Sequence, residues 1–278
     1  MKRITGYVLG AAVSIFMFIS TGTAADTITI GGDPCTVPLA EKLSEAFTKK
    51  TGIAISIASS SCSSGINKSV AGEVNVGVST QNIDPKNLPA GATNIIIAKA
   101  PIVMVVNKAN PVNNLSLSQL KDILSGKIKN WKEIGGKDME IKNVMLQPCV
   151  TSTVAKQVTP YGSDIKKLTP EKKGNPVINT NIMVEGNEDA MGLQIYGYES
   201  LNIKVLTIDG YLPDEKTFPA KYGFYEDYNV ITKGEPSGTV KDFINFALSP
   251  EGQGIVASMK HIQAKKIFVI IKREKNVF

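Results

Sequence analysis

Three cysteines are the residues of this sequence best suited to chemistry. Cys35, Cys62 and Cys149 are the chain's only thiols, and each lies in a short segment rich in Gly, Ser, Thr or Pro. Thiolates are soft ligands that select soft or thiophilic ions. The cysteines are separated by 27 and 87 positions, which excludes the Cys-x-x-Cys spacing of thiol–disulfide oxidoreductases. This pattern favours ligand binding over redox catalysis.

Hydrolytic catalysis is not indicated by the remaining residues. A covalent mechanism needs a nucleophile with a positioned base, and the single histidine, His261, is far along the chain from every cysteine. The sequence contains no Cys–His–Asn arrangement, metalloprotease motif or P-loop motif. We therefore expect a binding protein that is not an enzyme and holds no cofactor.

The elements that must position these residues alternate between strands and helices. Ile53, Ile55 and Ile57 follow the period of two that is typical of a half-buried strand, whereas Leu39 and Leu43 share one helical face. Strands are predicted over 26–30, 53–57, 74–78, 95–107, 141–146, 203–208 and 228–232, and helices over 38–50, 65–72, 117–124, 150–158, 187–196, 239–248 and 251–259. This alternation predicts an α/β fold with parallel sheets and helical crossovers.

The N-terminus has the features of a secretory signal peptide. Lys2 and Arg3 precede an apolar run that ends near Ile19, and small residues follow it. The run is shorter than the roughly 18–20 residues of a membrane-spanning helix. We predict a signal peptide over 1–25, cleaved after Ala24 or Ala25, and an exported protein that in a bacterium is periplasmic.

Charge and composition narrow the class of protein further. Removing the two basic residues of the signal peptide leaves 29 basic against 25 acidic side chains, a net charge of +4. These charges are dispersed, which argues against a nucleic-acid partner. The apolar content of 42% is enough for a core, and 278 residues suit one large domain or two lobes. The tail 265–278 is not assigned to an element.

Specific segments resemble a known family. Residues 110–131 resemble the central signature of the phosphate-binding proteins of ABC transporters, and 232–238 and 248–254 resemble that family's C-terminal region. The similarity covers roughly 27–265. It implies a monomeric two-lobe periplasmic binding protein fold of type II, with one ligand in the cleft between the lobes.

The resemblance also implies how the chain divides. Two crossover strands are expected near 105–107 and 225–228. Lobe 1 would comprise residues 26–105 and 228–278, and lobe 2 would comprise 106–227.

Three strand-to-helix loops form the ligand site in this family. The matching segments here are 31–39, 59–66 and 146–153, and each contains one cysteine. The resemblance therefore places the following residues at the ligand: Cys35, Asp33 and Thr36 from the first loop, Cys62, Ser63 and Ser64 from the second, and Cys149 and Thr151 from the third.

The third loop departs from the family's pattern. It begins with Leu146 where the family usually has an arginine, and the interior of the mature chain has no arginine at all. Arginine is the residue that binds oxyanions through two parallel hydrogen bonds. A phosphate site would have to depend on hydroxyls, backbone N–H groups and lysine.

Three thiols and no arginine suggest a different ligand. Neutral arsenous acid can exchange its three hydroxyls for three thiols with release of three waters, and the product needs no positive counter-charge. We hypothesise that Cys35, Cys62 and Cys149 bind arsenite as a trigonal metalloid site. The pattern resembles the arsenic-binding members of the family, and the partner would be a membrane sensor kinase.

Several alternatives remain open. The chain could bind phosphate or arsenate for an ABC permease. It could hold another soft metal, namely mercury, copper(I) or zinc; zinc prefers four ligands, and Asp33 could be the fourth. A disulfide between Cys35 and Cys62, with no role for Cys149, would also explain cysteines in an exported protein.

Overall fold

A computed structural model describes residues 27–61, 63–158, 166–171, 174–264 and 270–272. The predicted signal peptide, Cys62 and most of the tail 265–278 lie outside these ranges. Within them, no helix is both long and apolar enough to cross a lipid bilayer.

Twelve strands and seven α-helices are formed in the described ranges. The strands are β1 (Ile28–Gly32), β2 (Ile55–Ser59), β3 (Val76–Thr80), β4 (Ala92–Asn107), β5 (Asn114–Leu115), β6 (Lys142–Val144), β7 (Ala190–Ile195), β8 (Ile203–Val205), β9 (Thr207–Ile208), β10 (Tyr225–Lys233), β11 (Ile262–Gln263) and β12 (Ile270–Lys272). The helices are α1 (Val37–Thr51), α2 (Ser64–Ala71), α3 (Leu117–Leu124), α4 (Pro148–Val158), α5 (Pro176–Glu185), α6 (Gly238–Leu248) and α7 (Pro250–Ser258).

The main sheet is mixed, with strand order β2-β1-β3-β10-β4-β7-β6. Its outer pairs are parallel, since β1 pairs with β2 and β3, and β6 pairs with β7. Its central pairs are antiparallel, because β10 runs against β3 and β4, and β4 runs against β7. The predicted parallel pairing is therefore found in the outer strands, whereas the antiparallel centre was not predicted. The two long strands β4 and β10 pass between the lobes, and their antiparallel pairing makes the centre of the sheet antiparallel.

Two hydrophobic cores lie along the 16-residue strand β4. Its first part pairs with β10 as far as Pro101, and from Ile102 it pairs with β7. One core contains the ring cluster of Phe47 and Phe243, and the other surrounds Trp131. The predicted α/β two-lobe fold with crossover strands is confirmed, while the residue boundaries of the lobes stay a prediction.

The region before and within β7 was misread from the sequence. A helix was predicted over 187–196, but all six residues of β7 are buried in the sheet. A short apolar run cannot be distinguished from a buried helix by periodicity alone. Helix α5 was missed because apolar residues cover more than one of its faces; Asn175 caps it by accepting a hydrogen bond from the Val177 N–H, and Pro176 opens it.

Close packing at Gly65 positions the start of α2 over the sheet. A Cβ atom on Gly65 would lie 2.4 Å from the Val78 carbonyl oxygen and 2.8 Å from the Gly31 carbonyl oxygen. Such separations are far below ordinary van der Waals contact. Because Gly65 has no side chain, the start of α2 can pack directly against the backbone of β1 and β3.

A Gly65→Ala substitution should destabilise the protein by roughly 1–3 kcal/mol or more, because the added methyl group must displace backbone. The matched control is Gly254→Ala in α7, where a Cβ would meet nothing within 4 Å. That change should stabilise the protein by about 0.5–1 kcal/mol through helix propensity. Urea unfolding followed by circular dichroism measures both. Equal effects of the two substitutions would contradict the packing argument.

Candidate functional site

A cavity of about 360 Å³ lies where the two lobes face each other. One wall is a face of α4 that extends from Pro148 to Gln157, and the other is formed by Gln81 and Asn82, which follow β3, and by Glu226 at the start of β10. The residues of the cavity that bear on its chemistry are Gln81, Asn82, Cys149, Ser152, Thr153, Lys156 and Glu226. The size suits a small ligand.

Asp33 organises the turn between β1 and α1. Its Oδ1 accepts hydrogen bonds from the Cys35 N–H at 2.7 Å and the Thr36 N–H at 3.2 Å. Its Oδ2 accepts from the Thr80 N–H at 2.8 Å and the Thr80 hydroxyl at 3.3 Å. The carboxyl is buried, and burial raises the pKa of Asp33 although these hydrogen bonds oppose the shift. Asp33 thus joins the first loop to the end of β3, and a ligand role for it stays a prediction.

Thr36 is also fully buried at the start of α1. Its hydroxyl donates to the Asp33 carbonyl at 2.7 Å, and its own carbonyl accepts from the Tyr228 hydroxyl. Both polar groups are therefore occupied by protein contacts.

Cys35 brings the first loop against the third. Its Sγ donates to Gln147 Oε1 at 3.2 Å, and Gln147 lies two residues before Cys149. The thiol is free and only 3% exposed. Burial, with the nearby Asp33 and Glu226 carboxyls, raises the pKa of Cys35 well above its usual value. The structure therefore holds this residue as a neutral thiol that donates a hydrogen bond.

Cys149 is the second residue of α4 and lines the cavity. It is disulfide-bonded. The alternative pairing of Cys35 with Cys62 is wrong, because the Cys35 thiol is free. Cys62 lies outside the described residues, so a site made of all three thiolates stays a prediction. Within the described ranges, no group of three or more His, Cys, Asp or Glu side chains could hold a metal ion.

The hydroxyl residues predicted at the ligand lie in different surroundings. Ser63 is exposed at the start of α2. The Ser64 hydroxyl donates to the Ser61 carbonyl at 2.6 Å and accepts from the Ser60 hydroxyl at 2.6 Å, so it bonds within its own loop. Thr151 is half-buried in the first turn of α4, and its N–H donates to the Gln147 carbonyl at 2.8 Å. Their roles at a ligand stay predictions.

Glu226 is the principal residue of the cavity that the sequence reasoning missed. Its side chain is fully buried at the start of β10, and its Oε1 accepts from the Thr153 hydroxyl of α4 at 2.6 Å. Burial raises the pKa of Glu226 to about 8, against the opposing effects of the Thr153 and Thr80 hydroxyls. An acidic residue at the predicted crossover near 225–228 was the signal that could have found it.

Stability should depend on the protonation of Glu226. The folded pKa is raised above the value of the unfolded chain, so the native state keeps a proton that the unfolded state loses. Stability is therefore lost as the pH rises from about 5 to 8. A Glu226→Gln variant removes this loss. The difference between its free energy of unfolding and that of wild type should therefore grow in favour of the variant by up to about 1.4 kcal/mol per pH unit in this window.

Urea unfolding at pH 5, 6.5 and 8 tests this dependence, with Glu73→Gln at an exposed position as the control. The free energy of unfolding of Glu73→Gln should change with pH in the same way as that of wild type. The account is contradicted if Glu226→Gln and wild type show the same pH dependence.

Comparison with known proteins gives a consistent result. The profile of the PBP superfamily domain matches residues 20–251. Phosphate-binding protein PstS of Bacillus subtilis is 28% identical over 241 residues, which cover 83% of this chain and 78% of that protein. PstS of Borreliella burgdorferi is 20% identical and covers 92% of this chain and 96% of that protein.

Solved structures agree with the sequence comparisons. A structure assigned to a phosphate ABC transporter substrate-binding protein of Clostridium perfringens, with bound phosphate, has a TM-score of 0.76 and 29% identity, covering 86% of this chain and all of that one. A phosphate transport receptor of Vibrio cholerae, at 19% identity and a TM-score of 0.66 over 85% of this chain and 99% of that one, shares the fold. This chain belongs to the PBP superfamily, and its relatives there are phosphate-binding proteins of ABC transporters.

Proposed function

We propose that this chain is a solute-binding protein that holds a phosphate-like tetrahedral oxyanion in the cleft and presents it to an ABC permease. The observation that carries the proposal is the 29% identity, over 86% of this chain, to a protein whose structure contains phosphate. The predicted export and the monomeric state belong to the same proposal. A binding role without catalysis follows from it.

The chemistry of the cavity supports an anion. The first turns of α4 line it, and a helix N-terminus offers unsatisfied N–H groups and a positive dipole end. Ser152 adds a hydroxyl donor and Lys156 adds a positive charge, whereas the Thr153 hydroxyl already donates to Glu226. Lysine acts as a point charge and lacks the paired geometry of arginine, so hydrogen bonding must carry more of the affinity here.

Two crossover strands give the cleft a means of closing. β4 runs through both lobes, and β10 enters the first lobe at Tyr225 beside Pro101 of β4. Domain closure around a ligand by hinge motion is common where few segments join two lobes. A ligand bound to α4 and β10 together would favour the closed arrangement, which is the form a permease could distinguish.

Arsenite is the second candidate. The contact of Cys35 with Gln147 favours it, since two cysteine-bearing loops meet at the cleft. Against it stands the disulfide-bonded Cys149, because arsenite binding consumes free thiols. A sensor kinase would be the partner in that case. Mercury, copper(I) and zinc share this requirement for reduced cysteines.

Isothermal titration calorimetry with phosphate, arsenate and arsenite, with and without a thiol reductant, tests the proposal. Phosphate and arsenate should bind whether or not reductant is present. Lys156→Met should weaken phosphate binding roughly tenfold, since a hydrogen bond to a charged group is worth about 1.5–3 kcal/mol. Lys241→Met, at an exposed lysine of α6, should leave the affinity unchanged.

The opposite pattern would overturn the proposal. Arsenite binding that requires reductant and is lost in Cys35→Ser, together with no binding of phosphate or arsenate, would establish the thiolate site instead.

A further inference from the structure

One carboxyl oxygen in the cleft lacks a partner. Oε2 of Glu226 is buried and has no hydrogen-bond partner among the described residues, although Glu226 lines the cavity. A buried polar atom without a partner is unfavourable by roughly 1–3 kcal/mol. Such an atom beside a cavity indicates that something in the cavity completes its hydrogen bonding.

The other oxygen of the same carboxyl is already committed. Oε1 accepts the Thr153 hydroxyl at 2.6 Å, which fixes the carboxyl between α4 and β10. When the group carries a proton, that proton therefore belongs on Oε2. A protonated Oε2 is a donor, and a ligand oxygen is the acceptor it lacks.

The charges around Glu226 favour this protonated form. The Asp33 carboxyl raises the pKa of Glu226 further, and Lys156 of α4 lowers it, but burial is the dominant cause. The Cys35 thiol is neutral. Asp227, the next residue of β10, points to the opposite face of the strand and pairs with Lys99 of β4.

We propose that Glu226 is a specificity-determining residue of the cleft, which donates a hydrogen bond from Oε2 to an unprotonated oxygen of the bound oxyanion. This inference rests on the proposed function. A neutral carboxylic acid supplies a donor without adding negative charge, and in an apolar setting such acids do serve as hydrogen-bond donors. Once ionised, the same group presents a second negative charge to the anion and repels it.

The affinity for phosphate should consequently fall at alkaline pH. We compare wild type with Glu226→Gln, whose amide keeps a donor at this position and does not titrate. The ratio of the wild-type Kd to the variant Kd cancels the titration of phosphate itself. This ratio should increase about tenfold between pH 7 and pH 9, because ionisation of one group above its pKa changes affinity tenfold per pH unit. Glu73→Gln should show no such change.

A second readout is the number of protons taken up on binding. At pH 9, calorimetry in two buffers of different ionisation enthalpy should show close to one more proton taken up per phosphate bound by wild type than by Glu226→Gln. Equal proton uptake by wild type and Glu226→Gln at pH 9, or a constant Kd ratio from pH 7 to 9, would overturn the role of Glu226 and leave the proposed function standing. Failure of wild type to bind phosphate at pH 6–7 would overturn the proposed function itself.

Discussion

Two buried carboxyl groups share one threonine at the base of the cleft, and the rest of the site depends on this arrangement. The Thr80 hydroxyl donates to Asp33 and lies beside Glu226. Asp33 uses both oxygens to bind the first loop and the end of β3, so its role is mainly architectural. Glu226 uses one oxygen for Thr153, and its other oxygen is buried without a hydrogen-bond partner among the described residues. Two adjacent carboxylates cannot both remain ionised at low cost, so one of them is held neutral.

Under the proposed function, this constraint would let a cleft without arginine accept an anion. With Glu226 protonated, the charges of Asp33 and Lys156 balance. The donors proposed for the anion are then the first turn of α4, the Ser152 hydroxyl and the acid itself, while the Thr153 hydroxyl donates to Glu226. The hydrogen bond between Thr153 and Glu226 joins α4 to β10. Under the proposed function, ligand recognition would depend on the same two residues.

Sequence reasoning predicted the α/β two-lobe fold, most helices, and the cysteine-bearing first and third loops that meet at Cys35 and Gln147. The predictions failed where burial in the folded protein, and not the hydrophobic periodicity of the sequence, determines the structure. β7 was predicted as a helix because a strand that is buried on both faces does not show the period of two. The mixed sheet results from the long-range antiparallel pairing of β4 and β10, which no local pattern records. Glu226 was missed since an acidic residue in a strand is ordinarily exposed.

The most direct test of the central claim is a crystal structure with bound arsenate, measured by anomalous diffraction at the arsenic edge. Arsenate is tetrahedral like phosphate, and its arsenic atom marks the ligand unambiguously. The account predicts an arsenic peak between α4 and β10, with an arsenate oxygen within hydrogen-bond distance of Glu226 Oε2 and no sulfur in the arsenic coordination shell. An arsenic atom bonded to cysteine sulfur, or a peak outside the cleft, would contradict it.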